Sequence, residues 1–270
     1  VQTLGEIKQL LAERGLSPRH ALGQNFLIDK NLLGKLVDAA GLSPGQLVLE
    51  VGPGTGTLTE TLLARGHRVI ACELDDALAD LLTERLSSNP NFTLVRGDCL
   101  GKGKVLNADA AKLLGDQPFA LVANLPYGAA TPLMLNLLID WPTCASQAVT
   151  IQKEVAQRLL AKPGTRDFGT LGVVAQAMGE VSMLATLPPE CFWPRPDITS
   201  AMVLIKRREV PLTREPAKLA AFSQKLFMSR RKQLGATLGR TIAWPVGVEP
   251  TMRAEQLSIE QMVALCAVAG

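Results

Sequence analysis

Between Val48 and Asp98 the chain sets out, at intervals, the groups that hold a nucleoside. Val48-Leu49-Glu50-Val51 is an apolar run that passes directly into Gly52-Pro53-Gly54-Thr55-Gly56. Glycines let a backbone turn sharply and approach a ligand where a Cβ would block it. Glu73 closes the next apolar run, 21 residues after Gly52, and a carboxylate there can accept from both hydroxyls of a ribose. Asp98, in Arg96-Gly97-Asp98-Cys99, follows a third run and is placed to accept from an adenine amino group. Tight turns and helix caps also use glycine; it is the series on three successive strand ends that points to a nucleoside. The spacing Gly52-x-Gly54-x-Gly56 differs from the G-x-G-x-x-G of dinucleotide sites, and no Lys-Ser/Thr pair follows to make a P-loop.

A second group of residues suits a planar amine. Asn124-Leu125-Pro126-Tyr127 follows a fourth apolar run. The exocyclic nitrogen of adenine is a poor nucleophile because its lone pair is delocalised into the ring. It needs acceptors that hold its two protons while the nitrogen rehybridises, more than it needs a strong base. The Asn124 side-chain oxygen and a backbone carbonyl at Leu125 or Pro126 supply them. Pro126 stiffens the loop, and Tyr127, the single tyrosine of the chain, offers a face on which a base can stack. Phe192 is the choice for the opposite wall, with Trp193 as its competitor. The segment Met228-Ser229-Arg230-Arg231-Lys232 is read as heading a helix. Arg230, Arg231 and Lys232 there suit phosphate contacts, which give affinity and salt dependence without sequence readout; the plain alternative is a solvated helix face.

These residues need a frame that brings strand ends together. Strand candidates are Leu47–Val51, Arg68–Cys72, Phe92–Arg96, Phe119–Asn124, Gln147–Gln152, Ser182–Leu187 and Ala201–Lys206, with helical periodicity at Leu58–Arg65, Ala77–Leu86, Ala108–Leu114 and Pro132–Ile139. Such alternation predicts an α/β fold: a seven-stranded, mostly parallel sheet, doubly wound, with ligands at the carboxyl ends of its strands. The last two strands read as a hairpin-type addition at the sheet edge. After Arg208 only helical segments remain, Leu219–Met228, Lys232–Leu238 and Ile259–Val268. The predicted division is therefore 1–207, a nucleoside-binding domain, and 208–270, a small all-helical domain.

Composition narrows the alternatives. Hydrophobic residues make up 47% and charged residues 20% of 270, as in an ordinary globular chain. The five cysteines are scattered without a C-x-x-C pair, which argues against a disulfide framework or zinc site and fits reduced thiols in a cytoplasm. His20 and His67 are the only histidines, so a histidine metal site or a Ser-His-Asp triad is not expected; no metal is. No apolar run is long enough to span a bilayer, and the polar, amphipathic stretch Val1–Gly15 reads as neither signal peptide nor anchor. From Glu190 onward there are 12 Lys/Arg against 7 Asp/Glu, and 16 against 18 before it. A basic C-terminal part on a near-neutral body suggests a polyanionic partner.

The glycine spacing is similar to that of class I methyltransferases, a Rossmann-like group that holds S-adenosylmethionine. Over nearly its whole length the chain resembles the small-subunit ribosomal RNA adenine dimethyltransferases, relatives of the erythromycin-resistance rRNA methylases. The resemblance rests on Leu22-Gly23-Gln24-Asn25-Phe26-Leu27, Leu49–Gly56, Glu73, Gly97-Asp98, Asn124–Tyr127, Phe192–Pro196, Phe227–Lys232 and Arg253–Ser258. It implies that Asn25, Leu27, Gly52, Glu73, Asp98 and Asn124 bind S-adenosylmethionine. The implied product is N6,N6-dimethyladenosine at two adjacent adenosines near the 3′ end of small-subunit rRNA. It also implies a monomer that acts within an immature subunit and serves ribosome biogenesis. Asp197 stands where the family usually has Lys, Phe168-Gly169 replaces Tyr-Gly, and Leu100–Ala111 is a longer, irregular loop. Competing expectations are a large-subunit drug-resistance methylase, which Arg253–Ser258 disfavours, and a catalytically silent RNA- or DNA-binding factor, which the intact motif residues disfavour. DNA adenine and protein glutamine methylases usually have Pro where Leu125 stands.

Overall fold

The computed structural model describes residues 2–19 and 22–270; His20 lies outside the described residues. Its elements follow in the order α1 (Leu4–Ala12), β1 (Phe26–Leu27), α2 (Lys30–Ala39), β2 (Leu47–Val51), α3 (Thr57–Ala64), β3 (Arg68–Glu73), α4 (Asp76–Leu86), β4 (Phe92–Arg96), α5 (Ala108–Leu114), β5 (Phe119–Asn124), α6 (Tyr127–Asp140), β6 (Cys144–Gln152), α7 (Lys153–Leu160), α8 (Thr170–Met178), β7 (Gly179–Leu187), β8 (Phe192–Trp193), β9 (Ser200–Arg207), α9 (Pro216–Met228), α10 (Leu234–Leu238) and α11 (Ile259–Ala269). Helix starts carry local chemistry. Asp29, Asp75 and Asn107 accept from the first free amides of α2, α4 and α5, and Thr3 with Glu6 forms a capping box on α1.

Seven strands form one sheet in the order β4-β3-β2-β5-β6-β9-β7. The first five are parallel, and β9 runs antiparallel between β6 and β7. The chain builds outward from β2 to β4, then crosses back to β5 and β6, so strand order reverses between β2 and β5. That reversal opens a crevice at the carboxyl ends of the strands. Helices α2, α3 and α4 pack on one face through Leu36, Leu62 and Leu82, and α5 to α8 pack on the other through Leu114, Leu133, Leu159 and Val174. The last two long strands form the expected edge addition, with β7 outermost.

Several elements lie outside the sequence reading. Helix α8 is buried at seven of its nine positions, so it has no polar face and no amphipathic period. Gln24–Leu27 contains buried Phe26 and Leu27, which pair with Trp193 and Phe192 in a separate two-stranded sheet. The irregular loop expected over Leu100–Ala111 ends early: a bridge between Leu100 and Leu106 closes it, and α5 begins at Ala108. The helices after β9 share a core with α8, where Leu219, Phe222, Met262 and Leu265 meet Phe168, Val173 and Ala177.

Arg207, the last residue of β9, joins the sheet to α6. Its Nε donates to the Cys144 carbonyl at 2.8 Å, and Nη2 reaches the carbonyls of Leu137, Leu138 and Trp141 at 2.8, 3.2 and 3.0 Å. The carbonyls of Leu137 and Leu138 lie in the last turn of α6, the position that favours a cation. Arg207→Ala is expected to cost about 2–4 kcal/mol of stability, measured as a shift in the urea unfolding midpoint with an unchanged slope.

Candidate functional site

The glycine turn sits at the crevice. Gly52, Gly54 and Gly56 all have positive φ (70°, 62° and 87°). A Cβ at Gly54 would lie 2.6 Å from Cε1 of Phe26, and one at Gly52 would lie 3.1 Å from Cγ of Pro126. Two of the glycines are therefore required both by conformation and by rings laid directly on the turn. Glu73 ends β3, buried, with Oε2 accepting from the Gly54 amide at 3.1 Å and Oε1 from the Asp75 amide at 2.8 Å. Burial raises its pKa, while those two amides favour the charged form. Asp98 is more exposed, and its Oδ1 accepts from the Leu100 amide at 2.9 Å. Glu50, one strand position before the turn, is wholly buried. Burial pushes its carboxyl up to about 8, against the hydrogen bond donated by Thr59 at 2.7 Å.

The base-side loop follows β5. Asn124 donates from Nδ2 to the Asn25 carbonyl at 2.8 Å, which leaves Oδ1 as its acceptor. The Pro126 carbonyl already accepts from Ala129 and Ala130, at 3.0 and 3.2 Å, because α6 begins there. The Leu125 amide donates to Thr150, and among the described residues the Leu125 carbonyl accepts no hydrogen bond. Of the two carbonyls left open by the sequence, only Leu125 presents an unused oxygen. Tyr127 opens α6, with its hydroxyl 3.1 Å from Oγ of Ser200. Phe192 is buried and lines the same cavity as Tyr127. Trp193 points elsewhere: its ring stacks on Phe26 with centroids 6.2 Å apart, and Lys8 lies over it.

One cavity of about 460 Å³ is lined by Asn25, Leu27, Gly52, Glu73, Asp98, Asn124, Leu125, Pro126, Tyr127 and Phe192 together. That volume lies within the range of small-molecule sites. Sequence reasoning had no role for Leu74, Cys72 or Lys104, which line it too. Leu74 is half-exposed beside the Glu73 carboxylate, and an apolar residue directly after that acid was the available signal.

The basic segment is positioned differently from the expectation. It does not head a helix: Ser229–Lys232 forms turns after the end of α9, and α10 begins only at Leu234. Arg230 is half-buried, paired with Glu255, and donates to the carbonyls of Thr165 and Arg166 at 2.7 and 2.6 Å. It binds the tail to the loop between α7 and α8. Arg231 and Lys232 are exposed and form no ion pair among the described residues. Asp197 is exposed in the loop between β8 and β9. Phe168 is buried and packs edge-on against Phe227.

The profile of the family described as ribosomal RNA adenine dimethylase matches residues 15–269. A protein of Mesorhizobium japonicum named ribosomal RNA small subunit methyltransferase A is 38% identical over 98% of this chain and 98% of its own. One of the same name from Geobacillus thermodenitrificans is 36% identical over 98% and 95%. Among solved structures, the 23S rRNA methyltransferase ErmE superposes with a TM-score of 0.68 at 27% identity, over 90% of this chain and 98% of the other. A dimethyladenosine transferase from Plasmodium falciparum gives 0.72 at 22% identity, over 89% and 95%, and so shares the fold.

The buried Glu50 makes a testable contribution to pH dependence. Between its ordinary value near 4.5 and the raised value near 8, the folded chain keeps a proton that the unfolded chain has lost. Stability from this group therefore falls as pH rises through that window and levels off above it. Glu50→Gln is expected to flatten the decline, so that unfolding midpoints of variant and parent diverge between pH 5 and pH 8 in the variant's favour.

Proposed function

The chain belongs to the ribosomal RNA adenine dimethylase family, and from that premise we propose that it dimethylates N6 of two adjacent adenosines near the 3′ end of small-subunit rRNA. It is an S-adenosylmethionine-dependent methyltransferase with a Rossmann-like fold. The observation that carries the finer reading is the pair of unused acceptors, Asn124 Oδ1 and the Leu125 carbonyl, in one cavity with two aromatic walls and the Gly52–Glu73–Asp98 series.

The residues present suit the methyl donor. Glycines 52 and 54 keep open a cradle that side chains would fill, Glu73 presents acceptor oxygens held in place by two amides, and Asp98 lines the same cavity. In this reading Gly52, Glu73 and Asp98 hold the adenosine part, while Asn25, Leu27 and Asn124 bound the methionine end. Bound there, S-adenosylmethionine supplies an electrophilic methyl group. The chain's own part is positioning. A target adenine, flipped out of its helix, stacks between Tyr127 and Phe192 and donates hydrogen bonds from its amino group to Asn124 Oδ1 and the Leu125 carbonyl; the nitrogen gives up one proton to solvent for each methyl it gains. Those acceptors stabilise the positive charge that develops on nitrogen, and they are oriented beforehand, so little reorganisation is needed. No strong base is required.

For RNA, Arg231 and Lys232 are the members of the basic run left available for phosphates, in a tail, residues 208–270, that serves substrate binding while residues 1–207 carry the chemistry. Arg230 supports that surface through Glu255. The substrate in this reading is an immature small subunit met by a single chain in the cytoplasm. Among the described residues no helix is long and apolar enough to cross a membrane.

Labelled S-adenosylmethionine with unmethylated small subunits is expected to yield dimethyladenosine at the two adjacent positions; label confined to large-subunit rRNA would overturn the assignment. Asn124→Ala should lower transfer by about 10²–10³-fold, with RNA binding in a filter assay changed by less than about threefold. Replacing Arg231 and Lys232 by Ala should reduce the salt slope of RNA binding by about 0.7–0.9 per lost contact. Arg230→Ala should instead lower the melting temperature.

A further inference from the structure

We propose that Ser200 is a positioning residue that anchors the Tyr127 ring and so sets the gap between the two aromatic walls of the base pocket. The proposal rests on the reading of Tyr127 and Phe192 as those walls. Ser200 is 0% exposed, and its Oγ lies 3.1 Å from the Tyr127 hydroxyl. Among the described residues neither hydroxyl has another hydrogen-bond partner. Buried hydroxyls are costly to leave unpaired, so the contact holds both groups in place.

The anchor stands on rigid ground. Ser200 opens β9, where it pairs with Gln152 of β6 on one side and Leu187 of β7 on the other. Tyr127, by contrast, is the first residue of α6, half-buried and reached through the Leu125-Pro126 turn. With the phenol held to the sheet the ring keeps one orientation before a base arrives; without it, that ordering must be supplied on binding. The opposite wall, Phe192, lies in the same stretch of chain as the anchor and is tied to Leu27 through the β1–β8 pair. A base between two rings needs about 3.5 Å of clearance on each face, so a small drift of either ring loses contact on one side.

A consequence follows for the phenol. Its hydrogen bond is directed at Ser200, so Tyr127 acts through its ring face. Phenylalanine at 127 should then keep the stacking surface and lose only the anchor, as alanine at 200 does.

The experiment compares Ser200→Ala, Tyr127→Phe and the double variant in three measurements: turnover on unmethylated small subunits, S-adenosylmethionine affinity, and 19F NMR of the Ser200 variants labelled with 3-fluorotyrosine. The chain has one tyrosine, so the resonance belongs to Tyr127. Each single variant should lower turnover about five- to tenfold, the loss of one net hydrogen bond, with donor affinity within about twofold. The double variant should be no slower than the slower single, because both remove the same bond. In Ser200→Ala the fluorine resonance should shift and average towards that of a freely flipping ring. Multiplying losses in the double variant, an unshifted resonance, or normal turnover in Ser200→Ala would each overturn the proposal. Should Ser200→Ala fail to bind donor, Tyr127→Phe, which deletes the same bond and leaves the sheet residue in place, is read by the same turnover criterion. Absence of transfer by the parent protein would overturn the functional reading instead, while the resonance still tests the anchor.

Discussion

The hydrogen bond from the Asn124 amide to the Asn25 carbonyl joins two parts of the chain 99 residues apart and orients the group on which the proposed chemistry turns. An amide side chain free to rotate would present nitrogen or oxygen to an incoming amine. Committing Nδ2 to Asn25 leaves Oδ1 facing the site, and an acceptor oriented in advance is worth more than one that must be reoriented during reaction. The same bond ties the segment Leu22–Leu27 to the end of β5, so the proposed walls for donor and target are built as one unit.

Other contacts hold that unit in register. Phe26 lies on the glycine turn, with no room for a side chain at Gly54. Gln24 donates to Asp75 at 2.9 Å, and the Asp75 amide in turn donates to Glu73. Asp75 also caps α4. The proposed ribose acceptor, a helix start and the segment over the cavity thus meet at one residue, Asp75, through its amide for the first and its buried carboxylate for the other two. Burial raises the pKa values of Glu50 and Glu73, and the hydrogen bonds they accept, from Thr59 in one case and from backbone amides in the other, favour the charged form and offset part of that rise.

The helical tail solves a different problem. Its apolar side packs on α8, and Arg230, paired with Glu255 of the tail itself, binds it further to the α7–α8 loop through two backbone carbonyls. A cation so engaged has little left for phosphate, whereas Arg231 and Lys232 remain exposed. Neighbouring basic residues in one short run therefore divide into a structural member and two surface members.

What was legible in the sequence is the part that repeats along the chain. Parallel strands bring every strand's carboxyl end to one edge, so Gly52, Glu73, Asp98 and Asn124, each read at the end of an apolar run, had to meet there. The wall of Tyr127 followed from its place after the fourth run. What only the tertiary structure decided depends on partners far away in sequence. The two-residue strand Phe26–Leu27 exists because Phe192 and Trp193 pair with it, and that pairing turns Phe192 to the cavity and Trp193 onto Phe26. The open carbonyl is that of Leu125 because α6 starts at Tyr127 and its first turn takes the carbonyl of Pro126. Arg230 is structural because Glu255 reaches it, and Ser200 meets Tyr127 only because β9 inserts beside β6. Periodicity and motif spacing record local geometry; which hydrogen-bonding groups remain free is set by whatever the fold packs against them.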